Sequence, residues 1–123
     1  MGAKRVEDLS AWQLGNELRD RVHALTAEGR LAEDWKFRNQ LRDAVSSVTR
    51  NIAEGFGRYR HREFAHFLSI ARGSIFEVAD HLRDGVSRKY WTQEVVAESL
   101  GLCNRTTAAV TRLILYLKAH PDR

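Results

Sequence analysis

The sequence predicts an all-α protein, folded as an antiparallel up-down-up-down four-helix bundle. Apolar residues recur at steps of three and four in four successive segments, which is the period of an amphipathic helix. The connections between these segments are short, as is typical of neighbouring antiparallel helices. Proline occurs once, at position 121, and no segment has the two-residue alternation of a strand.

The first predicted helix runs from about Asp8 or Ser10 to Glu28, and the second from about Trp35 to Phe56. Their inward stripes are Ala11, Leu14, Leu18, Val22 and Leu25 in the first helix, and Phe37, Leu41, Ala44, Val48 and Ile52 in the second. Gly55 and Gly57 are predicted to end the second helix, because glycine reaches left-handed backbone angles without strain.

The third predicted helix runs from about His61 to Ser87, and the fourth follows the N-cap Thr92 and continues to about Ala119. Their core faces are Phe64, Phe67, Leu68, Ala71, Ile75, Val78, Leu82 and Val86 in the third helix, and Val95, Val96, Leu102, Cys103, Thr106, Val110, Leu113, Ile114 and Leu117 in the fourth. Gly73 lies opposite the third stripe, where another subunit could dock.

Length and composition favour one domain, residues 1–123, in the cytoplasm. A chain of 123 residues is long enough to bury one core. No apolar run approaches the ~18 residues that cross a bilayer, and the first residues lack the apolar centre of a signal peptide. The single cysteine, Cys103, excludes an internal disulfide and lies on an apolar stripe, so a buried, inert thiol is expected.

A polar ladder borders the apolar stripe of the second helix. Ser47, Asn51, Glu54 and Arg58 follow one another at helical spacing, and Ser74 and Glu77 flank the third helix in the same way. The favoured interpretation is a satisfied structural network of Ser47, Asn51, Glu54, Ser74 and Glu77, with Arg58 paired to Glu54 or Glu77. In the alternative, part of the ladder lines a groove for a ligand or partner.

The densest positive segment is the connection between the second and third helices. Arg58, Arg60, Arg62 and His61 surround Tyr59 there, and arginine supplies sixteen of the twenty basic residues in a chain of net charge +4. Guanidinium groups bind phosphate bidentately, and a tyrosine can stack on an unpaired base. Arg58, Tyr59, Arg60, His61 and Arg62 are therefore the predicted nucleic-acid site, with a solvated basic loop as the alternative.

Arg88 and Lys89 are predicted to form a separate basic patch. In an up-down-up-down bundle the loop between the second and third helices shares one pole with the chain end. The loop that holds Arg88 and Lys89 lies at the opposite pole.

The sequence contains no catalytic constellation, so no enzymatic activity and no cofactor are expected. The sequence shows no pattern of a serine-histidine-aspartate catalytic triad, no glycine-rich phosphate loop and no Walker motif. A di-iron bundle needs two Glu-x-x-His pairs and two more glutamates, and only Glu63 and His66 fit. Glu77, His81 and Asp84 could hold one weak divalent ion, but a solvated i,i+4 pair is favoured.

The polar ladder belongs to a wider pattern that resembles a known family, the four-helix bundle family whose members are also called 23S rRNA intervening-sequence proteins. The matching residues are Leu9, Trp12, Gln40-Leu41-Arg42, Ser46, Asn51 to Gly55, Arg58, Glu63-Phe64, Phe67-Leu68, Ile70-Ala71, Gly73-Ser74 and Glu77. In that family a small hydroxyl residue usually stands where Arg60 stands here and caps the next helix.

The resemblance implies a small oligomeric bundle, with a homopentameric ring as a recognised arrangement. Related bundles act as accessory subunits of reverse transcriptases in diversity-generating retroelements. The expected function is thus a non-enzymatic adaptor that binds RNA, another nucleic acid or a ribonucleoprotein partner. The alternative is a protein–protein interaction or structural module without a nucleic-acid role. The aromatic residues expected to be left over for subunit contacts are Trp12, Trp35, Phe56 and Trp91.

Overall fold

The computed structural model describes residues 2–27 and 29–122, without the side chains of residues 30 and 32. Its α-helices are α1 (Ser10–Leu25), α2 (Trp35–Phe56), α3 (His61–Ser87) and α4 (Gln93–Ala119). Short 3-10 helices, Val6–Asp8 and Arg30–Glu33, precede α1 and α2. Within the described ranges no strand is present, so the predicted all-α, four-helix class is confirmed.

Side-chain caps begin two of the four α-helices. The Asp34 side chain accepts a hydrogen bond from the backbone N–H of Phe37 at the start of α2. Thr92 accepts one from the N–H of Val95 at the start of α4, as predicted. The bounds of α2 and α3 agree with the sequence prediction. The first helix is shorter than predicted: it ends at Leu25, and Glu28 lies outside the described residues.

Each helix packs against two others. α2 packs on α1 and α3, and α4 packs on α3 and α1, so the four helices close a ring around one core. Apolar side chains from all four contribute to that core, and those without solvent exposure include Leu18, Val22, Leu41, Ile52, Leu68, Val78, Leu82, Leu102 and Val110. The predicted stripes are therefore largely buried, but Val95 is 50% exposed and was wrongly assigned to the core.

Hydrogen bonds between side chains join neighbouring helices. Arg42 of α2 donates to the Thr26 hydroxyl beyond the end of α1 at 2.8 Å. Arg72 of α3 donates to the Thr111 hydroxyl of α4 at 3.1 Å. Polar side chains thus link α2 to the end of α1 and the middle of α3 to the second half of α4.

The four aromatic residues that were predicted to make subunit contacts differ in how deeply they are buried. Trp91 belongs to the core: it is 9% exposed, and its indole N–H donates to the carbonyl oxygen of Leu82 at 2.9 Å. Trp12 and Phe56 are partly buried against the same core. Only Trp35, 64% exposed, projects into solvent. The prediction was wrong for Trp91, because its ring packs on a glycine of α3.

The two glycines predicted to end the second helix differ in role: Gly57 is its C-cap, whereas Gly55 lies within the helix. Gly55 is buried inside α2, and a Cβ there would lie 2.8 Å from Cδ1 of Phe64 and 2.9 Å from Cβ of Phe67. Gly57 follows the helix with φ −75°, an ordinary right-handed conformation. Gly55 is thus needed for the close approach of α3, and neither residue uses left-handed backbone angles.

Candidate nucleic-acid interface

The predicted basic site lies at the pole of the bundle where α2 ends and α3 begins. Tyr59 is 93% exposed, and the side chains of Arg58, Arg60 and Arg62 are also exposed. Residues 57–60 connect the two helices, so these side chains project from a short turn held at both ends by long helices. The turn therefore presents an unburied aromatic ring between guanidinium groups.

Arg58 is the least free of these arginines. Its Nη2 lies 2.7 Å from Oε1 of Glu54, one helical turn earlier. Its guanidinium also stacks on the Phe67 ring, 4.9 Å from the ring centroid. Arg58 thus pairs with Glu54, one of the two partners that the sequence suggested, and its charge is partly neutralised.

Arg60 stands at the N-cap of α3 and makes no side-chain capping hydrogen bond. The cap comes from the C-terminal segment instead: the backbone N–H of His61 donates to Oδ2 of Asp122 at 2.7 Å. A carboxylate at a helix N-terminus is favoured by both the free N–H groups and the macrodipole. Asp122 therefore replaces the hydroxyl cap that Arg60 cannot supply, and it does so from the segment that follows α4.

The His61 side chain is engaged by the same segment. Its Nδ1 donates to the carbonyl oxygen of His120 at 2.5 Å, and the His120 ring stacks on Tyr116 with centroids 4.1 Å apart. The chain end therefore lies at the pole of the basic turn, as predicted. His61 fixes that end and is not a freely projecting contact residue.

Two depressions extend this surface along α3. One, of about 420 Å³, lies between the start of α3 and the end of α4 and includes Arg62, His66, Lys118 and Asp122. The other, of about 460 Å³, includes Arg58, Arg62 and His66 together with Glu63. Arg62 and His66 border both depressions, so the two form one continuous surface.

Sequence reasoning missed His66 and Lys118 at this surface. His66 lies one turn after Arg62, and Lys118 lies in the last turn of the helix whose end was predicted to share this pole. Helical spacing could therefore have placed both residues at this surface. Glu54, Glu63 and Asp122 lie among the cations, so the surface is mixed in charge.

Arg88 and Lys89 lie at the opposite pole, as predicted. Arg88 Nη1 is 3.2 Å from Oδ2 of Asp34, and Arg88 Nε is 2.9 Å from Oδ2 of Asp84. The Tyr90 hydroxyl also donates to the Asp34 carboxylate. That hydrogen bond, with help from the Phe37 N–H and from Arg88, lowers the pKa of Asp34 below its ordinary 3.8. Arg88 thus ties two loops together.

The polar ladder forms a compact network between α2 and α3. The hydroxyls of Ser47 and Ser74 lie 2.8 Å apart, and Asn51 Nδ2 donates to Oγ and to the carbonyl oxygen of Ser47 at 2.9 and 2.8 Å. The Ser74 hydroxyl also bonds the carbonyl oxygen of Ile70 at 3.2 Å. These three side chains satisfy one another at the edge of the core.

The two predicted glutamates of the ladder are not part of that network. Glu54 pairs with Arg58 at the exposed end of α2. Glu77 Oε2 lies 3.7 Å from Nε2 of His81, the i,i+4 pair favoured by the sequence. The ladder predicted as one unit is therefore divided into a half-buried serine–asparagine cluster and two exposed pairs, each formed within one helix.

The described residues hold no group of three or more histidine, cysteine, aspartate or glutamate side chains that could bind a metal ion. Cys103 is buried, and burial raises the pKa of its thiol from 9.0 to about 11. The thiol is therefore protonated at neutral pH and a poor nucleophile. Across residues 2–27 and 29–122, every helix falls short of the length and apolarity that spanning a membrane requires.

Comparison with known proteins gives a family. No curated protein matches the chain. The family model of the 23S rRNA-intervening sequence protein matches residues 7–112, a range that includes α1, α2 and α3, the basic turn, the serine–asparagine network and most of α4. The chain therefore belongs to the 23S rRNA-intervening sequence protein family.

Proposed function

We propose that the protein is a non-enzymatic helical adaptor that binds RNA, or another nucleic acid within a ribonucleoprotein, at the pole where α2 meets α3. The observation that carries this proposal is Tyr59, 93% exposed between arginines on a four-residue connection. An exposed aromatic ring can stack on an unpaired base while neighbouring guanidinium groups bind the phosphates beside it. The support for the proposal is therefore the combination of an exposed ring and arginines on one short turn.

The chemistry of the pole suits a single-stranded or looped nucleic acid. Arg60 and Arg62 project without an ion-pair partner among the described residues, so their charges are available to phosphates. Tyr59 stacks on an unpaired base. His66 and Lys118 continue the surface toward the end of α4 and lengthen the track along which a backbone could lie.

The architecture proposed with this function is one domain, residues 1–123, in which the helices run up, down, up and down. Arg42 of α2 bonds Thr26 beyond the end of α1, and Arg21, late in α1, pairs with Glu98, early in α4; both contacts support antiparallel neighbours. The location proposed is the cytoplasm.

We further propose that the protein acts as a homo-oligomer. The family resemblance favours a five-membered ring and, as one protein partner, the reverse transcriptase of a diversity-generating retroelement. A net charge of +4 on each chain would be repeated around such an assembly, which strengthens attraction to phosphate.

The test is the binding of a fluorescently labelled structured RNA at several salt concentrations, with two variants of equal charge. In the first, the turn variant, Arg60→Glu and Arg62→Glu change the two arginines of the site that form no ion pair among the described residues. Arg58 is kept because it pairs with Glu54. In the second, Arg105→Glu and Arg112→Glu change two exposed residues of α4. Circular dichroism checks that both variants remain folded.

We expect the turn variant to bind at least about tenfold more weakly, with a salt slope smaller by about 1.4 if both arginines contact single-stranded phosphates. The α4 variant should keep most of its affinity. Equal loss in both variants would mean that net charge alone attracts RNA, and the site would be wrong. If wild-type protein binds no RNA at low salt, the adaptor proposal fails and the protein–protein interaction module takes its place.

A further inference from the structure

The depression of about 420 Å³ between the start of α3 and the end of α4 is a pocket with an apolar part. Ala65 and Leu117, which belong to the buried core, line it together with Pro121. Small-molecule sites are typically concave, of about 300–1,000 Å³, and mostly apolar with a few polar groups. The pocket therefore has the size and the lining to take a compact organic group, in addition to extending a charged surface.

Small side chains on α3 keep this pocket open. Ala65 and Ser69 lie one helical turn apart and both line it, and the Ser69 hydroxyl donates to the carbonyl oxygen of Ala65 at 3.1 Å. The segment after α4 forms another wall, which His61 holds in place. The backbone N–H of His61 donates to Oδ2 of Asp122 at 2.7 Å, and its Nδ1 donates to the carbonyl oxygen of His120. The pocket is thus formed before any ligand binds.

Positive charge borders the apolar part of the lining. Arg62, His66 and Lys118 all line the pocket, and neither Arg62 nor Lys118 forms an ion pair within residues 2–27 and 29–122. Among the described residues that line it, only Asp122 is acidic, and its Oδ2 accepts from His61. Carboxylate oxygens have further lone pairs, so Asp122 can also accept from a ligand N–H. Apolar side chains, cations and an acceptor together suit a planar, N–H-bearing ring attached to a phosphate.

We propose that this pocket binds one unpaired nucleotide of the RNA, with its base against the apolar lining and its phosphate on Arg62 and Lys118. The inference rests on the proposed function and deepens it, because it names the group that this pole recognises beside Tyr59. Arg62 lies three residues after Tyr59 and borders the pocket, so one strand can reach both. Proteins that read unpaired RNA typically bind bases that are splayed out of the stack.

The first test measures binding of the four nucleoside 5′-monophosphates by isothermal titration calorimetry, without RNA. Ribose 5-phosphate is the matched control, since it carries the sugar and the phosphate but no base. We expect at least one nucleotide to bind with a dissociation constant of about 1 mM or below, and at least about tenfold more tightly than ribose 5-phosphate, because contacts to the base supply the difference. Equal binding of ribose 5-phosphate, or no binding of any nucleotide, would overturn the proposal.

The second test fills the pocket without removing a charge. A helical side chain lies over the turn before its own Cα, so the ring of Ser69→Phe would lie over Ala65. Ser87→Phe, at the other end of α3, is the matched control, because both serines are exposed. We expect Ser69→Phe to weaken nucleotide binding at least about tenfold and Ser87→Phe to leave it unchanged, with circular dichroism checking both folds. Unchanged nucleotide binding by folded Ser69→Phe would refute the pocket.

RNA binding by Ser69→Phe separates this inference from the proposed function. The variant keeps every cation, so the structured RNA should bind several-fold more weakly with an unchanged salt slope. If the wild type binds nucleotides but no RNA, the adaptor function fails and the pocket stands as a site for free nucleotides. If RNA binds but Ser69→Phe changes neither RNA binding nor nucleotide binding, the pocket fails and the adaptor function stands.

Discussion

Gly85→Ala is predicted to destabilise the protein although it improves the intrinsic helix propensity of α3. A Cβ at position 85 would lie 2.4 Å from Cζ2 and 2.5 Å from Cε2 of Trp91. Trp91 is 9% exposed and cannot swing away freely, since its indole N–H bonds the carbonyl oxygen of Leu82 at 2.9 Å. The added methyl group must therefore displace a buried ring.

The net effect can be worked out from three contributions. Overpacking a well-filled site costs about 1–3 kcal/mol, and loss of the indole hydrogen bond costs about 1 kcal/mol more. Replacing a helical glycine by alanine returns about 1 kcal/mol. The free energy of unfolding should thus fall by about 1–3 kcal/mol, which lowers the midpoint of thermal unfolding by roughly 4–12 °C for a domain of this size.

Gly101→Ala is the matched control, measured with Gly85→Ala by thermal and urea unfolding followed by circular dichroism. Gly101 is exposed, and its Cβ position is open. The control should therefore gain up to about 1 kcal/mol, so the two substitutions should have opposite signs. If Gly85→Ala stabilised the protein as Gly101→Ala does, the packing of Trp91 against α3 would be refuted.

Two further predictions concern polar groups. Asn51→Ala should lower the free energy of unfolding by about 1–3 kcal/mol, because it removes two hydrogen bonds at the α2–α3 seam. The control, Asn104→Ala at an exposed position, should change it by less than about 0.5 kcal/mol. Urea unfolding measures both variants, and equal effects would contradict a stabilising network. Tyr90→Phe should remove stability that depends on ionised Asp34. The folded-state pKa of Asp34 is lowered chiefly by the Tyr90 hydroxyl, so this stability is present above the ordinary value of 3.8 and is lost as the pH falls through the lowered pKa. The stability difference between Tyr90→Phe and wild type should therefore shrink in acid when urea unfolding is repeated across pH, and a constant difference would refute the linkage.

The starts of α2 and α4 were predictable because they are encoded locally. Asp34 and Thr92 cap the helices that they precede, and Pro121 follows the end of α4. Apolar periodicity then fixed which face of each helix was buried. These signals need only residues within one or two turns, so a single sequence is sufficient to read them.

Trp91 and Gly55 were misread because their roles depend on contacts across the bundle. The loop position of Trp91 suggested a residue outside the helical stripes, yet Gly85 opens a space into which its ring packs. Gly55 was interpreted as a terminator by its position near a helix end, but it accommodates Phe64 of α3. A glycine that permits close approach and a glycine that permits a turn look alike in one sequence; only the packed helices distinguish them.

At the basic pole, the position of the arginines could be read from the sequence, but the cap of α3 comes from a distant part of the chain. An arginine at the N-cap of α3 places a cation at the positive end of the helix macrodipole, which is unfavourable, and Arg60 forms no capping bond. The Asp122 carboxylate supplies both the missing acceptor and a compensating negative charge. Because the cap comes from beyond α4, the side chain at position 60 is released from capping and can face solvent. A helix start that would otherwise hold a short hydroxyl residue can therefore present a guanidinium group beside Tyr59.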